Sequence, residues 1–300
     1  MFFRRIKLGE KPKPCDHPEN STIYSKNCRY CRYQVCLKAG MALPPHKLHS
    51  TKYFGMLDLI NELSQLDSRR KHQFCNFLVI GDPSLEEVVK NPETKCSLKE
   101  KDQKLDLNDW VLNASIAAIE FFKKLEFVSQ LDLENQKILL QSVYINSSFL
   151  TSAFYRYQAN LEFMAFPDGC DMVVHTSQRI SENLRNRMRC RLIGKLIELK
   201  MSEEEYLLLT VVLFCNPVVP GLSAPAKSHI SMHQRIYSSA LLQLCLINFQ
   251  NTGPSRFWDL LSVCDTINAT IQDVHQHNTL YQLYEPDVDV TSKRRFFRHF

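Results

Sequence analysis

From Asp106 to Tyr284, apolar residues return every third or fourth position with few interruptions. In WVLNASIAAIEFFKKLEFV, the residues Trp110, Ala114, Ala117, Phe121, Leu125 and Val128 fall on one stripe of a helix. A second long run, LDLENQKILLQSVYINSSFLTSAFYRY, opens on Asp132, whose carboxylate is placed to accept from the free amides of a first helical turn. ISENLRNRMRCRLIGKLIELK predicts another helix. MSEEEYLLLTVVLFCNP starts from Ser202, carries acids in its first turn and stops before Pro217. Further helices are predicted over 233–249 and 257–284, on either side of the break NTGPSR. Pro167-Asp168-Gly169 predicts a turn, with Val173-Val174 as a short strand beside it. Eight glycines in 300 residues argue against a Gly-rich barrel or sandwich and against phosphate-cradling loops. The chain reads as mainly α, with a layered helical body and, at 44% hydrophobic residues, enough apolar surface for a sizeable core.

The N-terminal part differs in charge. Residues 1–47 hold ten Lys/Arg and three Asp/Glu, a net of +7, whereas the whole chain carries +5, so the remainder is near neutral at −2. A basic module on a neutral body fits nucleic acid or nuclear import at one end, and equally a solvated basic arm. Pro44-Pro45 should end the helix before it. After it, Phe54, Leu57, Ile60, Leu63 and Leu66 keep helical spacing, and 79–104 is turn-rich and charged, a loop or hinge. Eleven cysteines are an odd number and mostly scattered, which fits reduced thiols better than a disulfide framework. The exception is NCRYCRYQVCLKAGM at 27–41. Two residues between Cys28 and Cys31 suit a shared zinc ion, Cys15 is a third candidate, His17 is the other nearby donor, and Cys36 should point elsewhere on a helix. No nucleophile-elbow, HExxH or phosphate-loop context supports an enzyme, and no run of residues is apolar enough for a membrane span.

CRYCRYQVCLKAGM closely resembles the end of the second zinc module of the nuclear receptor DNA-binding domain, and FFRR at 2–5 resembles the end of that domain's recognition helix. The resemblance implies that Cys15 is the first ligand of this module and that Ser21 stands where the family has its second. About three residues are missing between Ile23 and Cys28 relative to that pattern, and a chain that begins Met1-Phe2-Phe3 is expected to lack the first zinc module with its base-reading turn. The expectation is zinc on an incomplete ligand set of Cys15, Cys28 and Cys31. Arg4, Arg5, Arg29 and Arg32 would contact phosphates, giving salt-sensitive DNA affinity without sequence choice.

EFFKKLEFVSQLDLENQKILL at 120–140 resembles the signature of the nuclear receptor ligand-binding domain, and FPDG, LFCNPVVPGLS and SALLQLCLINFQNTGPSRFWDLL match its later parts in order. The whole chain thus resembles a divergent, nematode-type member of the nuclear hormone receptor family. That implies a three-layer α-helical sandwich with one short β hairpin, preceded by a partial zinc module. The expected organisation is 1–41 for the zinc module, 42–104 for a hinge and first helix, 105–290 for the ligand-binding domain and 291–300 for a basic tail. In this family an amphipathic Leu-x-x-Leu-Leu helix of a coregulator docks between the third, fourth and last helices, and a lysine caps its C-terminal carbonyls, where the helix dipole is negative. Lys123 occupies that lysine's position, with Gln136 and Gln141 on the matching face of the next helix. Trp110, Ala114, Tyr144, Ser148 and Tyr155 match positions of the ligand pocket and would hold a small apolar ligand, although by spacing alone they read as plain core. Glu205 and Arg256 match a structural ion pair. The family's final helix carries a glutamate within an apolar motif, but TLYQLYEPDVDVTSKRRFFRHF has Gln282 there and Pro286 directly after Glu285. The implied function is transcription regulation in the nucleus, with coregulators, DNA and a homo- or heterodimer partner. The alternative is an interaction protein that leaves DNA alone and dimerises with or sequesters other receptors or coregulators.

Overall fold

The computed structural model describes residues 13, 15, 17, 28–38, 46–100, 103, 105–173, 177–286 and 294–297, apart from the side chains of 34, 36–38 and 46–54. The chain divides into two compact units, 1–59 and 60–300. In the first, α1 (Arg29–Lys38) begins directly at the Cys28 carbonyl, which accepts from the Arg32 amide at 3.0 Å, and Tyr33 is buried. Pro44-Pro45 lie outside the described residues. Helix α2 (His46–Asn76) starts right after them, where a helix is free to begin.

The second unit is mainly helical: β1 (Phe77–Val79), α3 (Leu85–Lys90), β2 (Cys96–Leu98), α4 (Leu107–Lys123), α5 (Glu126–Ser129), α6 (Leu133–Gln158), α7 (Glu182–Leu199), α8 (Glu203–Phe214), α9 (Ala224–Phe249), α10 (Gly253–Leu261) and α11 (Val263–Tyr284). Helix α6 runs through the middle, packed by α4 on one side and by α7 and α11 on the other, and α8 fills the space between α6 and α9. This is the three-layer arrangement. The expected caps form as the sequence reads: Asp132 accepts from the Asn135 amide at 2.9 Å, and Ser202 and Glu205 close a capping box at the head of α8. Trp110 is fully buried, stacked on Phe166 at 5.6 Å and met edge-on by Phe74 at 5.7 Å. Gly253 is required where it stands, because a Cβ there would lie 2.8 Å from the Leu246 Cα as α10 leaves α9.

Several boundaries depart from the sequence reading. The segment 79–104 contains α3 and β2, which pairs antiparallel with β1, Phe77 opposite Leu98. The short hairpin is therefore here, with a helix inserted in its connection, and Val173 is in no strand; Val174 lies outside the described residues. A lone bridge from Ala165 to Asp171 spans the Pro167-Asp168-Gly169 turn instead. Helix α9 starts at Ala224, nine residues before the expected 233, because Ser223 caps it and Pro225 is tolerated in a first turn. The last expected helix is two, α10 and α11, meeting at Ser262, and α10 already begins at Gly253 with its proline in the first turn. On α2, Ile60 and Leu63 are buried while Leu57 and Leu66 only flank the stripe; its buried face continues through Asp67, Arg70 and Phe74. In 291–300, expected as a basic tail, Phe296 is wholly buried.

Candidate functional site

In the first unit, the Sγ atoms of Cys15, Cys28 and Cys31 and a ring nitrogen of His17 lie within 4.8 Å of one another. Cys15 Sγ is 3.4 Å from Cys31 Sγ, and His17 Nδ1 is 3.6 Å from the same sulfur. Zinc bonds of about 2.3 Å to sulfur and 2.0 Å to nitrogen place tetrahedral donors about 3.5–3.8 Å apart, so this set fits a zinc ion. Sequence spacing singles out three of these donors, and the fold adds His17; Ser21, six residues after Cys15, lies outside the described residues. The thiols are unequal in their surroundings. The Cys31 backbone amide holds Cys28 down to about 6, whereas burial and the neighbouring Cys15 and Cys28 push Cys31 up to about 12. Arg29 and Arg32 follow on α1 with exposed side chains; Arg4 and Arg5 lie outside the described residues.

In the second unit, Lys123 is the last residue of α4, and its side chain is 9% exposed. Its ammonium donates to the Val88 carbonyl and the Asn91 carbonyl, both at 2.7 Å, and pairs with Glu120 at 3.0 Å. Val88 and Asn91 belong to the end of α3, so Lys123 caps the C-terminus of a helix of its own chain. Helix α3 lies on α4 and α6 and buries Leu85, Val88 and Val89. Gln136 donates to the Leu131 carbonyl at 2.7 Å, holding the turn between α5 and α6, and Gln141 is half-buried on the same helix.

The expected pocket residues are packed. Trp110 donates from its indole nitrogen to Asp168 at 3.0 Å, and Tyr144 meets the Phe296 ring edge-on at 5.3 Å. Ser148 bonds the Tyr144 carbonyl at 2.7 Å, and Tyr155 donates to Asp67 at 3.2 Å. The cavity that Ala114 and Ser148 line measures about 10 Å³, the room of one water molecule. A larger cleft of about 320 Å³ lies between α2, the small sheet and α4, walled by Arg69, His72, Gln73, Glu93 and Lys124, and none of the five expected residues reaches it.

Arg256 binds Glu205 through two bonds, Nε to Oε1 at 2.8 Å and Nη2 to Oε2 at 2.6 Å. A second buried ion pair escaped the sequence reading. Arg70 is paired with Asp67 one turn before it, donates to Tyr206 at 2.6 Å and lies 4.0 Å over the Phe121 ring. Burial alone would lower the Arg70 pKa, but Tyr206 and Asp67 raise it above its ordinary value. The signal was present as an Asp-x-x-Arg spacing on an otherwise apolar stripe.

Comparison with known proteins gives two family matches: the ligand-binding domain of nuclear hormone receptor over residues 92–284, and the double treble clef zinc finger, C4 type, over 1–43. Among relatives, the chain is 33% identical over 300 residues to nuclear hormone receptor family member nhr-167 of Caenorhabditis elegans, covering 97% of this chain and 88% of that protein. It is 34% identical to nhr-9 of the same organism over 292 residues, covering 95% and 85%. Among solved structures, the Ultraspiracle ligand binding domain from Drosophila melanogaster aligns with a TM-score of 0.53 at 17% identity, covering 78% of this chain and 92% of that one, a likeness of fold.

Proposed function

The chain belongs to the nuclear hormone receptor family, whose members regulate transcription, and on that premise we propose how this member does so. It contacts DNA through phosphates alone, and it engages amphipathic helices of coregulators on the face formed by α4 and α6. The observation that carries the DNA half is the four-donor cluster of Cys15, His17, Cys28 and Cys31 at the head of α1, with Arg29 and Arg32 exposed on that helix. These four residues would hold a zinc ion, whose role is to fix the start of α1. Two arginines presented by a fixed helix supply charge to a phosphate backbone and no pattern that distinguishes bases. On the second unit, Lys123 offers a cation to the negative end of a helix, and Gln136 and Gln141 lie on the adjoining one. Regulation of this kind takes place in the nucleus.

A second reading has its own support. Met232, Ile236 and Ile247 are about half exposed at helical spacing on α9, and Trp258 on α10 is 71% exposed. An apolar stripe of this sort suits a homo- or heterodimer partner and a protein that sequesters other receptors. DNA binding separates the two. Zinc stoichiometry is measured on the purified chain, and affinity for random duplex is followed against salt. One zinc per chain is expected, with an affinity that falls with salt and a slope shallower by about two in Arg29→Ala/Arg32→Ala. A chain that binds neither zinc nor duplex at low salt leaves only the dimerising module.

A further inference from the structure

Helix α3 reads Leu85-Glu86-Glu87-Val88-Val89, apolar at i, i+3 and i+4. Those three side chains are its buried ones, with relative exposures of 1%, 1% and 4%. They face α4 and α6, and the carbonyls at the end of the helix, Val88 and Asn91, both rest on the Lys123 ammonium. Three apolar anchors at this spacing, and C-terminal carbonyls for a lysine to cap, are what a docked coregulator helix would present to the same face. We infer that α3 is a tethered pseudo-ligand: the chain occupies its own coregulator face, and a partner's Leu-x-x-Leu-Leu helix binds only by displacing it. The inference rests on the coregulator reading above and adds to it the state in which that face is found.

Two properties suit α3 to displacement. A helix of six residues is too short to persist in water by itself. Its helicity comes from the face it covers and from the capping box in which Glu87 accepts from the Ser84 amide at 2.7 Å and Ser84 from the Glu87 amide at 3.3 Å. It is also an under-filled occupant, since valines at 88 and 89 each carry one methylene less than leucine. A partner with leucines at both places has more apolar surface to bury against α4 and α6. The occupant is held from outside as well. The Arg295 amide donates to Asp82 at 2.9 Å, and the Arg295 guanidinium reaches Glu87 at 3.4 Å.

The test uses the full chain and a fluorescent fifteen-residue amphipathic peptide with one Leu-x-x-Leu-Leu motif, read by anisotropy. Leu85→Ser/Val88→Ser/Val89→Ser frees the face without touching α4 or α6 and is expected to bind the peptide at least about tenfold tighter than the unaltered chain. Adding Lys123→Ala should abolish that gain. On the unaltered chain, saturating peptide should speed hydrogen exchange at the Asn91 amide, which bonds the Glu87 carbonyl at 3.1 Å, while α6 stays protected; this arm needs no substitution to fold. Equal peptide affinity with and without α3, or an Asn91 amide that stays protected under bound peptide, overturns self-occupation and leaves the coregulator reading standing. No binding by either form, with α3 exchange shown to be fast in the triple variant, overturns the coregulator reading and self-occupation with it.

Discussion

Glu205 serves two partners at once: its carboxylate takes both bonds of the Arg256 fork, and its Oε2 accepts from the Ser202 amide at 3.0 Å to cap α8. Arg256 in turn donates to the Leu199 carbonyl at 2.7 Å, so one pair joins the end of α7, the start of α8 and the start of α10. Arg256→Ala leaves a buried carboxylate and should cost about 3–5 kcal/mol, seen as a melting temperature lower by roughly 10 °C. Glu205→Gln/Arg256→Met should recover part of the loss, because removing both charges leaves neither unpaired.

The Asp67–Arg70 pair should behave alike for the same reason. Asp67→Ala strands a buried guanidinium that keeps its bond to Tyr206 but has lost its carboxylate, and a cost of about 3–5 kcal/mol is expected in urea titration. Asp67→Ala/Arg70→Met should be less destabilised than Asp67→Ala alone, and strict additivity would mean that the two side chains are not coupled.

Zinc removal should act on the start of α1. Chelation is expected to speed amide exchange across Arg29–Lys38, since metal binding to so small a module supplies on the order of ten kcal/mol of its folding. With cobalt in place of zinc, His17→Ala should weaken binding and shift the d–d bands. Unchanged cobalt spectra would leave His17 outside the ligand set.

Phe296→Ala should destabilise the second unit by about 3 kcal/mol, the usual cost of emptying a phenylalanine site, because its ring is wholly buried against Tyr144. A solvated basic tail would show no change in the same melt.

The Asp132 carboxylate is held below its ordinary value of 3.8, chiefly by the Asn135 backbone amide and then by the Asn135 side chain. A pKa lowered by folding contributes stability that is present above the unfolded value and lost as pH falls through the folded one. Asp132→Asn should therefore melt below the unaltered chain at pH 7, and the gap should close on acidification below pH 3.8. A gap that persists there would assign the difference to something other than charge.

What the sequence shows of this molecule depends on how local the cause is. The caps at Asp132 and Ser202 and the stripe from Trp110 to Phe121 are short-range facts of periodicity and hydrogen bonding, and they stand in the structure where the sequence puts them, whereas Leu125 and Val128 fall beyond the end of α4, at the cap and on the turn of α5. Helix α9 begins nine residues before 233 because Pro225, which would break a helix from inside, sits in its first turn. Helix α3 is not legible in the sequence although Ser84-Leu85-Glu86-Glu87 carries the capping-box signature, since six residues are too few for their periodicity to stand out from a charged, turn-rich segment. The role of Phe296 is a long-range fact: nothing near it in the chain says that it will meet Tyr144. His17 lies between these cases, a visible donor whose membership in the cluster only the fold decides.

The contacts of Arg295 with Asp82 and Glu87 join positions 213 and 208 residues apart. During synthesis the ribosome makes the segment around α3 well before the clasp at Arg295. At about 5–20 residues per second, that interval is roughly 10–40 s. For that time Asp82 and Glu87 have no Arg295 to meet, so every newly made chain passes through a period in which α3 is held from one side only.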